Sequence, residues 1–209
     1  LAKHRNQQAT SSYDGRTHNL TVSTGINYAI DSNNSTGFNY KYIRVPKSNT
    51  YGVTETDLKE EDSFDEHSFV DSHLKKNQIW HQANLYYNGQ IFNWKIDFNS
   101  DVLWRKEDNN ELNIENVIDA KNVKSERNVT TNSFIKNALY ATKLILSHSF
   151  LCGNLSIGGE YSFARRHNIF DNIEGILDSN NNRIKESSSS LFLEYSRQFG
   201  SLSTNIGIR

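Results

Sequence analysis

The side chains that most often do chemistry are present in this sequence, but their spacing forms no familiar catalytic set. Its seven histidines include no His-x-x-x-His or His-Glu-x-x-His pair, and no Gly-x-Ser-x-Gly sequence occurs. Cys152 is the only cysteine, so neither an internal disulfide nor a cysteine-rich zinc site is possible. We therefore predict no catalytic residue, no bound cofactor and no enzymatic activity.

An acidic run is the best candidate for a metal site. It lacks the Asp-x-Asp-x-Asp-Gly order and the closing glutamate of a calcium loop, so a solvated loop is favoured. His67 and His73 lie in the same polar stretch, and we predict no metal ligand there. The acidic residues of this run are Glu55, Asp57, Glu60, Glu61, Asp62, Asp65 and Glu66.

Composition excludes several classes of protein. The net charge of −1 gives no electrostatic basis for binding nucleic acid, and no stretch approaches the apolar length of a transmembrane helix. Only 35% of the 209 residues are hydrophobic, so a wide buried core is not expected. A transmembrane strand remains possible, because it needs only about 9–11 alternating residues.

The elements that would position any site are strands. Asn88-Gly89 is a strong signal for a type I′ hairpin turn, and the residues on both sides alternate in character. This turn predicts an antiparallel pair in which Leu85 lies opposite Phe92. His81 and His148 are the polar exceptions on otherwise apolar faces.

This alternation divides the predicted strands into two faces. We predict that the lipid-facing side carries Leu85, Phe92, Trp94, Ile96, Phe98, Leu144, Leu146, Ile157 and Tyr161. We predict that the lumen-facing side carries Gln82, Lys95, Asp97, Lys143 and Glu160.

Four tight turns alternate with three long polar stretches along the chain. The turns are predicted at residues 31–36, 88–89, 151–154 and 200–201. The polar stretches are predicted to be loops at the opposite end of the sheet, at residues 47–77, 106–132 and 165–187. This asymmetry is typical of outer-membrane barrels. It predicts an all-β fold, an antiparallel up-and-down meander of about eight long strands, in which residues 1–209 are part of one transmembrane β-barrel domain. Residues 1–16 are predicted to be a loop or a strand remnant.

Short motifs in the last third of the chain resemble the outer-membrane β-barrel family related to TonB-dependent receptors. They are Leu-Ser-Ile-Gly-Gly-Glu-Tyr-Ser at 155–162, Arg-Ile-Lys-Glu-Ser at 183–187, Leu-Glu-Tyr at 193–195 and Ser-Thr-Asn-Ile-Gly-Ile-Arg at 203–209. The resemblance implies a segment of a barrel wall that contributes to nutrient uptake or transport across the bacterial outer membrane.

The same resemblance implies which partners the chain would have. They are the lipid bilayer, an unknown transported ligand, and an energy-coupling protein that contacts regions outside this segment, such as an N-terminal plug. We expect the first and last strands not to pair. The open edges would then be covered by another copy of the chain, by the rest of a longer protein, or by detergent.

Two other classes of protein stay open at this point. One is a soluble β-sheet protein that binds a ligand or a surface, such as a carbohydrate-binding or adhesin domain. The other is a small outer-membrane barrel enzyme, although the sequence shows no catalytic set. Detergent dependence separates the first alternative from a membrane segment.

Overall fold

The computed structural model describes residues 5–61 and 63–209, which form nine strands. Asp62 of the acidic run and residues 1–4 of the predicted N-terminal loop or strand remnant lie outside the described residues, while residues 5–16 form a strand. The strands are β1 (Arg5–Arg16), β2 (Leu20–Ala29), β3 (Ser35–Glu60), β4 (Ser63–Ile91), β5 (Trp94–Asp119), β6 (Lys124–Phe150), β7 (Gly153–Asn172), β8 (Asn180–Phe199) and β9 (Leu202–Ile208).

All nine strands belong to one antiparallel sheet. From β3 to β9 the order is sequential, while β1 and β2 both pair with β3, along residues 49–60 and 35–44 respectively. The predicted all-β meander is therefore confirmed. Within the described residues, neither β1 nor β2 pairs with β9, so the sheet is not closed, as expected.

The three long polar stretches are not loops, and that prediction was wrong. Residues 47–77, 106–132 and 165–187 lie mainly in the outer halves of β3 to β8, and β4 alone has 29 residues. They do lie at the end of the sheet opposite the tight turns, as predicted. In these stretches neither face of the sheet is apolar, so apolar and polar residues no longer alternate. The backbone hydrogen bonds to both neighbouring strands nevertheless continue. We call these halves the polar arms.

The central hairpin turn lies four residues later than predicted. Its turn residues are Phe92 and Asn93, and Leu85 pairs with Ser100 instead of Phe92. Gly89 continues the strand, and the Oδ1 atom of Asn34 occupies the place where a Cβ would project. That oxygen accepts hydrogen bonds from the Tyr87 hydroxyl and the Gln90 N–H, at 2.7 and 2.9 Å. A side chain at this position is thus excluded by a residue of the distant β2–β3 turn, and not by a turn at Gly89 itself.

The other predicted turns differ in accuracy. Phe199 pairs with Leu202 around Gly200-Ser201, which confirms that turn. The 151–154 turn is shorter than predicted, since Leu151 and Cys152 alone form it, both with positive φ. Both register errors are an even number of residues, so each side chain keeps its predicted face.

A cross-linking experiment distinguishes the two registers of the central hairpin. In a Cys152→Ser background, cysteines at Leu85 and Ser100 are expected to form a disulfide on mild oxidation, because directly opposed residues meet its distance requirement. The pair at Leu85 and Phe92 is expected not to form one. Preferential cross-linking of the second pair, measured by gel mobility, would contradict the observed register.

The described residues of the sheet form no hydrophobic core. Val45 is the only buried hydrophobic residue among those described, while Leu191 and Ile206 are 80% and 74% exposed. The buried polar residues, Ser48, Ser68, Glu107 and Asn172, share one side of the sheet with Val45. We call this crowded side the polar face; the opposite side, which carries Leu85, Phe98 and Leu144, is the apolar face. Among the described residues no helix is long and apolar enough to cross a membrane.

Candidate functional site

The turn-proximal half of the polar face carries a network of amide and acidic side chains. The Asn84 amide donates to Oδ1 of Asn99 at 3.0 Å and to Oδ1 of Asp101 at 2.8 Å. The register of β4 against β5 places these residues together, because Asn84 pairs with Asp101. The network fixes the orientation of side chains that a sequence motif would not have connected.

A charged cluster continues this network across β6, β7 and the end of β9. Lys143 and Arg209 both contact Glu160, at 3.5 and 2.8 Å, and Arg209 also donates to Ser190 at 3.3 Å. These residues border an open groove of about 720 Å³. Its other lining side chains on the polar face are Asp97, Asn99, Asp101, Ala141, Ser162 and Ser188. The groove presents both signs of charge and many hydroxyl groups, which suits a polar ligand.

A second cluster lies farther from the turns and was not predicted from the sequence. Glu107 is only 4% exposed, and its carboxylate contacts Arg105, Lys76 at 3.1 Å and the Asn109 amide at 2.9 Å. Burial opposes ionisation of Glu107, but these hydrogen bonds and the two cations outweigh it and lower the pKa below its ordinary value. The Arg105 guanidinium also stacks 4.5 Å from the ring centre of Trp80.

Several buried polar atoms around this second cluster have no partner among the described residues. They include the Trp80 Nε1, the Arg105 Nε, and the Oδ1 atoms of Asn109, Asn137 and Asn168. Buried polar atoms are nearly always hydrogen-bonded in proteins, so this part of the face can bind water or a polar ligand. The only local signal in the sequence is the alternation Arg105-x-Glu107-x-Asn109 on one strand.

The predicted lumen-facing residues all project from the polar face. The pairing of β4 to β7 places the side chains of five residues on the same side of the sheet: Gln82, Lys95, Asp97, Lys143 and Glu160. Eight of the nine predicted lipid-facing residues project from the other side, namely Leu85, Trp94, Ile96, Phe98, Leu144, Leu146, Ile157 and Tyr161. Phe92 is the exception: it lies in the turn with φ of 54° and is 92% exposed. Contact with lipid remains a prediction for all of them.

The two histidines that interrupt the apolar face are surrounded by aromatic rings. His81 Nδ1 lies 2.6 Å from the Tyr40 hydroxyl, and its ring centre lies 5.2 Å from that of Trp104. His148 lies against Trp94, with ring centres 4.9 Å apart. Both side chains are thus accommodated by aromatic neighbours on the same face.

The acidic run does not converge on one point. Where it is described, it occupies the ends of β3 and β4, with Glu55 and Asp57 both close to His67, at 3.5 and 2.8 Å. Within residues 5–61 and 63–209, no group of three or more histidine, cysteine or acidic side chains is arranged to hold a metal ion.

Neither a protein family nor a curated protein sequence matches this chain. Among solved structures, the siderophore receptor PiuA from Acinetobacter baumannii is similar, with a TM-score of 0.39 and 10% identity over 94% of this chain and 42% of that receptor. The ferric preacinetobactin receptor BauA from the same organism has a TM-score of 0.34 and 10% identity, over 83% of this chain and 30% of that receptor. The ferric yersiniabactin uptake receptor FyuA from Yersinia pestis has a TM-score of 0.31 and 9% identity, over 95% of this chain and 43% of that receptor. This chain spans less than half the length of each.

Proposed function

We propose that this chain is a wall segment of an outer-membrane β-barrel of the TonB-dependent-receptor type, and that it contributes to uptake of a nutrient across the bacterial outer membrane. One observation carries the proposal: the sheet has an exposed apolar band on one face, and the residues that the structure describes form no hydrophobic core to bury it. Water would oppose such an arrangement strongly, whereas the hydrocarbon of a bilayer would not.

The depth of the apolar band fits a bilayer. On β5 it runs from Trp94 to Trp104, with Ile96, Phe98 and Val102 between them on the same face. This matches the 9–11 residues, approximately, that a tilted transmembrane strand needs. Tyrosine and tryptophan residues at both ends of the band correspond to the aromatic girdles of outer-membrane barrels. The polar arms then extend beyond the membrane on one side.

The edges of the sheet support a place inside a longer wall. Among the described residues, β9 pairs only with residues 193–199 of β8, which leaves the outer edge of β8 from 180 to 192 without a neighbouring strand. At the opposite edge, β1 and β2 pair with β3 alone. Unpaired backbone groups are costly in hydrocarbon, so these edges require another strand from the same protein or from a second copy.

The polar face supports a role in transport and not in catalysis. In a closed barrel this face would line the lumen, where the groove beside Lys143 and Glu160 and the cluster around Glu107 would meet a hydrated ligand. The proposal includes no cofactor and no enzymatic step. An energy-coupling partner would contact parts of the protein outside this wall.

Membrane association tests the proposal. The chain refolded in detergent and mixed with phospholipid vesicles is expected to float with the vesicles in a density gradient and to resist extraction by alkaline carbonate. Without detergent or lipid it is expected to aggregate through its edges and its apolar band. A monodisperse, folded chain in plain buffer that stays at the bottom of the gradient would overturn the proposal in favour of a soluble binding domain.

A further inference from the structure

The apolar face ends, on the side of the polar arms, in two rows of residues of unusual charge. A row is a set of residues paired across successive strands. The first row is Tyr42, His81, Trp104, Ala138, Arg165 and Lys185, and the second is Arg44, Ile79, Lys106, Lys136, His167 and Arg183. Together the two rows hold six lysines and arginines, and we call the two rows the basic belt.

The composition of the two rows differs sharply from that of the whole chain. The chain has 23 lysines and arginines against 24 acidic residues. The two rows contain no aspartate and no glutamate. A solvated surface that sampled the chain evenly would carry acidic residues in similar number, so the belt is a local concentration of positive charge.

The opposite boundary of the band shows no such belt. The two corresponding rows near the turns contain neither lysine nor arginine. They are Gly89, Ile96, Leu146, Ile157, Leu193 and Ile208, followed by Ile91, Trp94, His148, Leu155, Tyr195 and Ile206. The positive charge therefore lies at only one of the two boundaries of the apolar band. A feature common to both membrane boundaries would not produce this difference.

Within the belt, two lysines are held directly opposite each other. Lys106 pairs with Lys136, and the two Nζ atoms lie 5.1 and 5.0 Å from the ring centre of Phe134. Like charges placed directly opposite destabilise a strand pair. Lys106 has one acidic neighbour, Asp108, at 3.4 Å. Among the described residues Lys136 has no ion pair, so the two ammonium groups together keep a net positive charge.

We propose that the basic belt binds the phosphate groups of anionic lipids in the membrane leaflet on the side of the polar arms. This inference rests on the proposed membrane location. A phosphate group carries negative oxygens that accept charge-assisted hydrogen bonds from lysine and arginine, and it can contact two ammonium groups at once. The acyl chains of the same lipid would lie against the next row toward the turns, where Val102, Tyr140 and Phe163 are paired. Charge and apolar surface thus match the two parts of one molecule.

Tryptophan fluorescence offers a direct test, because the chain has three tryptophans at different places. Trp104 lies in the belt, Trp94 lies at the opposite boundary of the same face, and Trp80 lies on the polar face. Two variants, Trp80→Phe/Trp94→Phe and Trp80→Phe/Trp104→Phe, each leave one reporter. They would be reconstituted in vesicles that contain phosphatidylcholine and a minority of phosphatidic acid, with bromine on the acyl chains of one lipid or the other.

Brominated phosphatidic acid is expected to quench Trp104 more strongly than its mole fraction in the vesicle would give by random contact. Its quenching of Trp94 is expected to match its mole fraction. The variant Lys106→Gln/Lys136→Gln should lower the relative affinity for phosphatidic acid at Trp104 by roughly 25-fold, since each of the two lysines contributes about a fivefold gain in affinity for an anionic lipid surface. The matched control Lys41→Gln/Lys95→Gln removes two lysines from the polar face and should leave the preference unchanged.

The outcomes separate this inference from the proposed function. If brominated phosphatidylcholine quenches neither tryptophan, the membrane location itself fails. If it quenches both but phosphatidic acid shows no preference at Trp104, only the lipid site fails. Millimolar inorganic phosphate should not abolish the preference; complete loss would show that free phosphate occupies the belt and would overturn the lipid assignment. Quenching of the glutamine variant by brominated phosphatidylcholine confirms that it still inserts.

Discussion

Replacing Leu144 by arginine is expected to destabilise the membrane-inserted state by about 3 kcal/mol, the largest effect among single substitutions in the apolar band. Leu144 lies near the middle of the band on β6 and is 42% exposed toward the side that we assign to lipid. A guanidinium there would have to enter hydrocarbon or drag water and headgroups with it. The free energy would be measured by urea unfolding of the chain in vesicles, or as the fraction that floats.

The neighbouring residue provides a matched control for this substitution. Ile145 is adjacent in sequence but projects from the polar face, where it pairs with Asp97. Ile145→Arg introduces the same charge on the same strand and is expected to cost less than about 1 kcal/mol, since a carboxylate lies opposite it. Equal losses in both variants would show that arginine is simply harmful to β6, and the assignment of faces to lipid and lumen would then be wrong.

Replacing Glu107 by alanine is expected to cost about 1–3 kcal/mol of unfolding free energy. The carboxylate is buried, and its removal leaves Lys76 and Arg105 close together without the anion between them. Glu111→Ala is the control, because Glu111 lies on the same face of β5 and forms no ion pair among the described residues. A loss in Glu107→Ala no greater than in Glu111→Ala would contradict the structural role of the cluster.

The same cluster predicts a dependence of stability on pH. The pKa of Glu107 in the folded chain lies below its ordinary value, so the ionised form stabilises the fold at neutral pH. This contribution is lost as the pH falls from about 4.3, the unfolded value, through the folded pKa. Glu107→Gln cannot titrate, so the difference in stability between the parent chain and this variant should shrink over that range. A constant difference would contradict the assigned ionisation.

Much of the sheet could be predicted because side chains on a strand alternate strictly. The phases of β2 and β9, the turn at Gly200-Ser201 and the division of β4 to β7 into two faces all follow from local pattern. A register error of an even number of residues leaves each side chain on its predicted face of the sheet. The predicted lumen-facing residues therefore all lie on one side, although the central turn was misplaced.

The rest depends on contacts between distant parts of the chain. Asn-Gly at 88–89 is an ordinary turn signal, but here it continues a strand, and the side chain of Asn34 that leaves no room for a Cβ at Gly89 comes from a distant part of the chain. The polar arms were missed because strands without an apolar face look like loops in a single sequence. Lys76 and Glu107 are brought together by the register of β4 against β5, and no local motif connects them.

A scan of single cysteines along β6 tests most directly whether the apolar face contacts lipid. In a Cys152→Ser background, each position from 138 to 148 would carry an environment-sensitive fluorophore, and quenching by spin-labelled lipid would be measured in vesicles. Strong quenching is expected at even positions such as Leu144 and Leu146, and weak quenching at odd positions such as Lys143 and Ile145. Uniform quenching, or a maximum at the odd positions, would contradict the assignment of the apolar face to lipid.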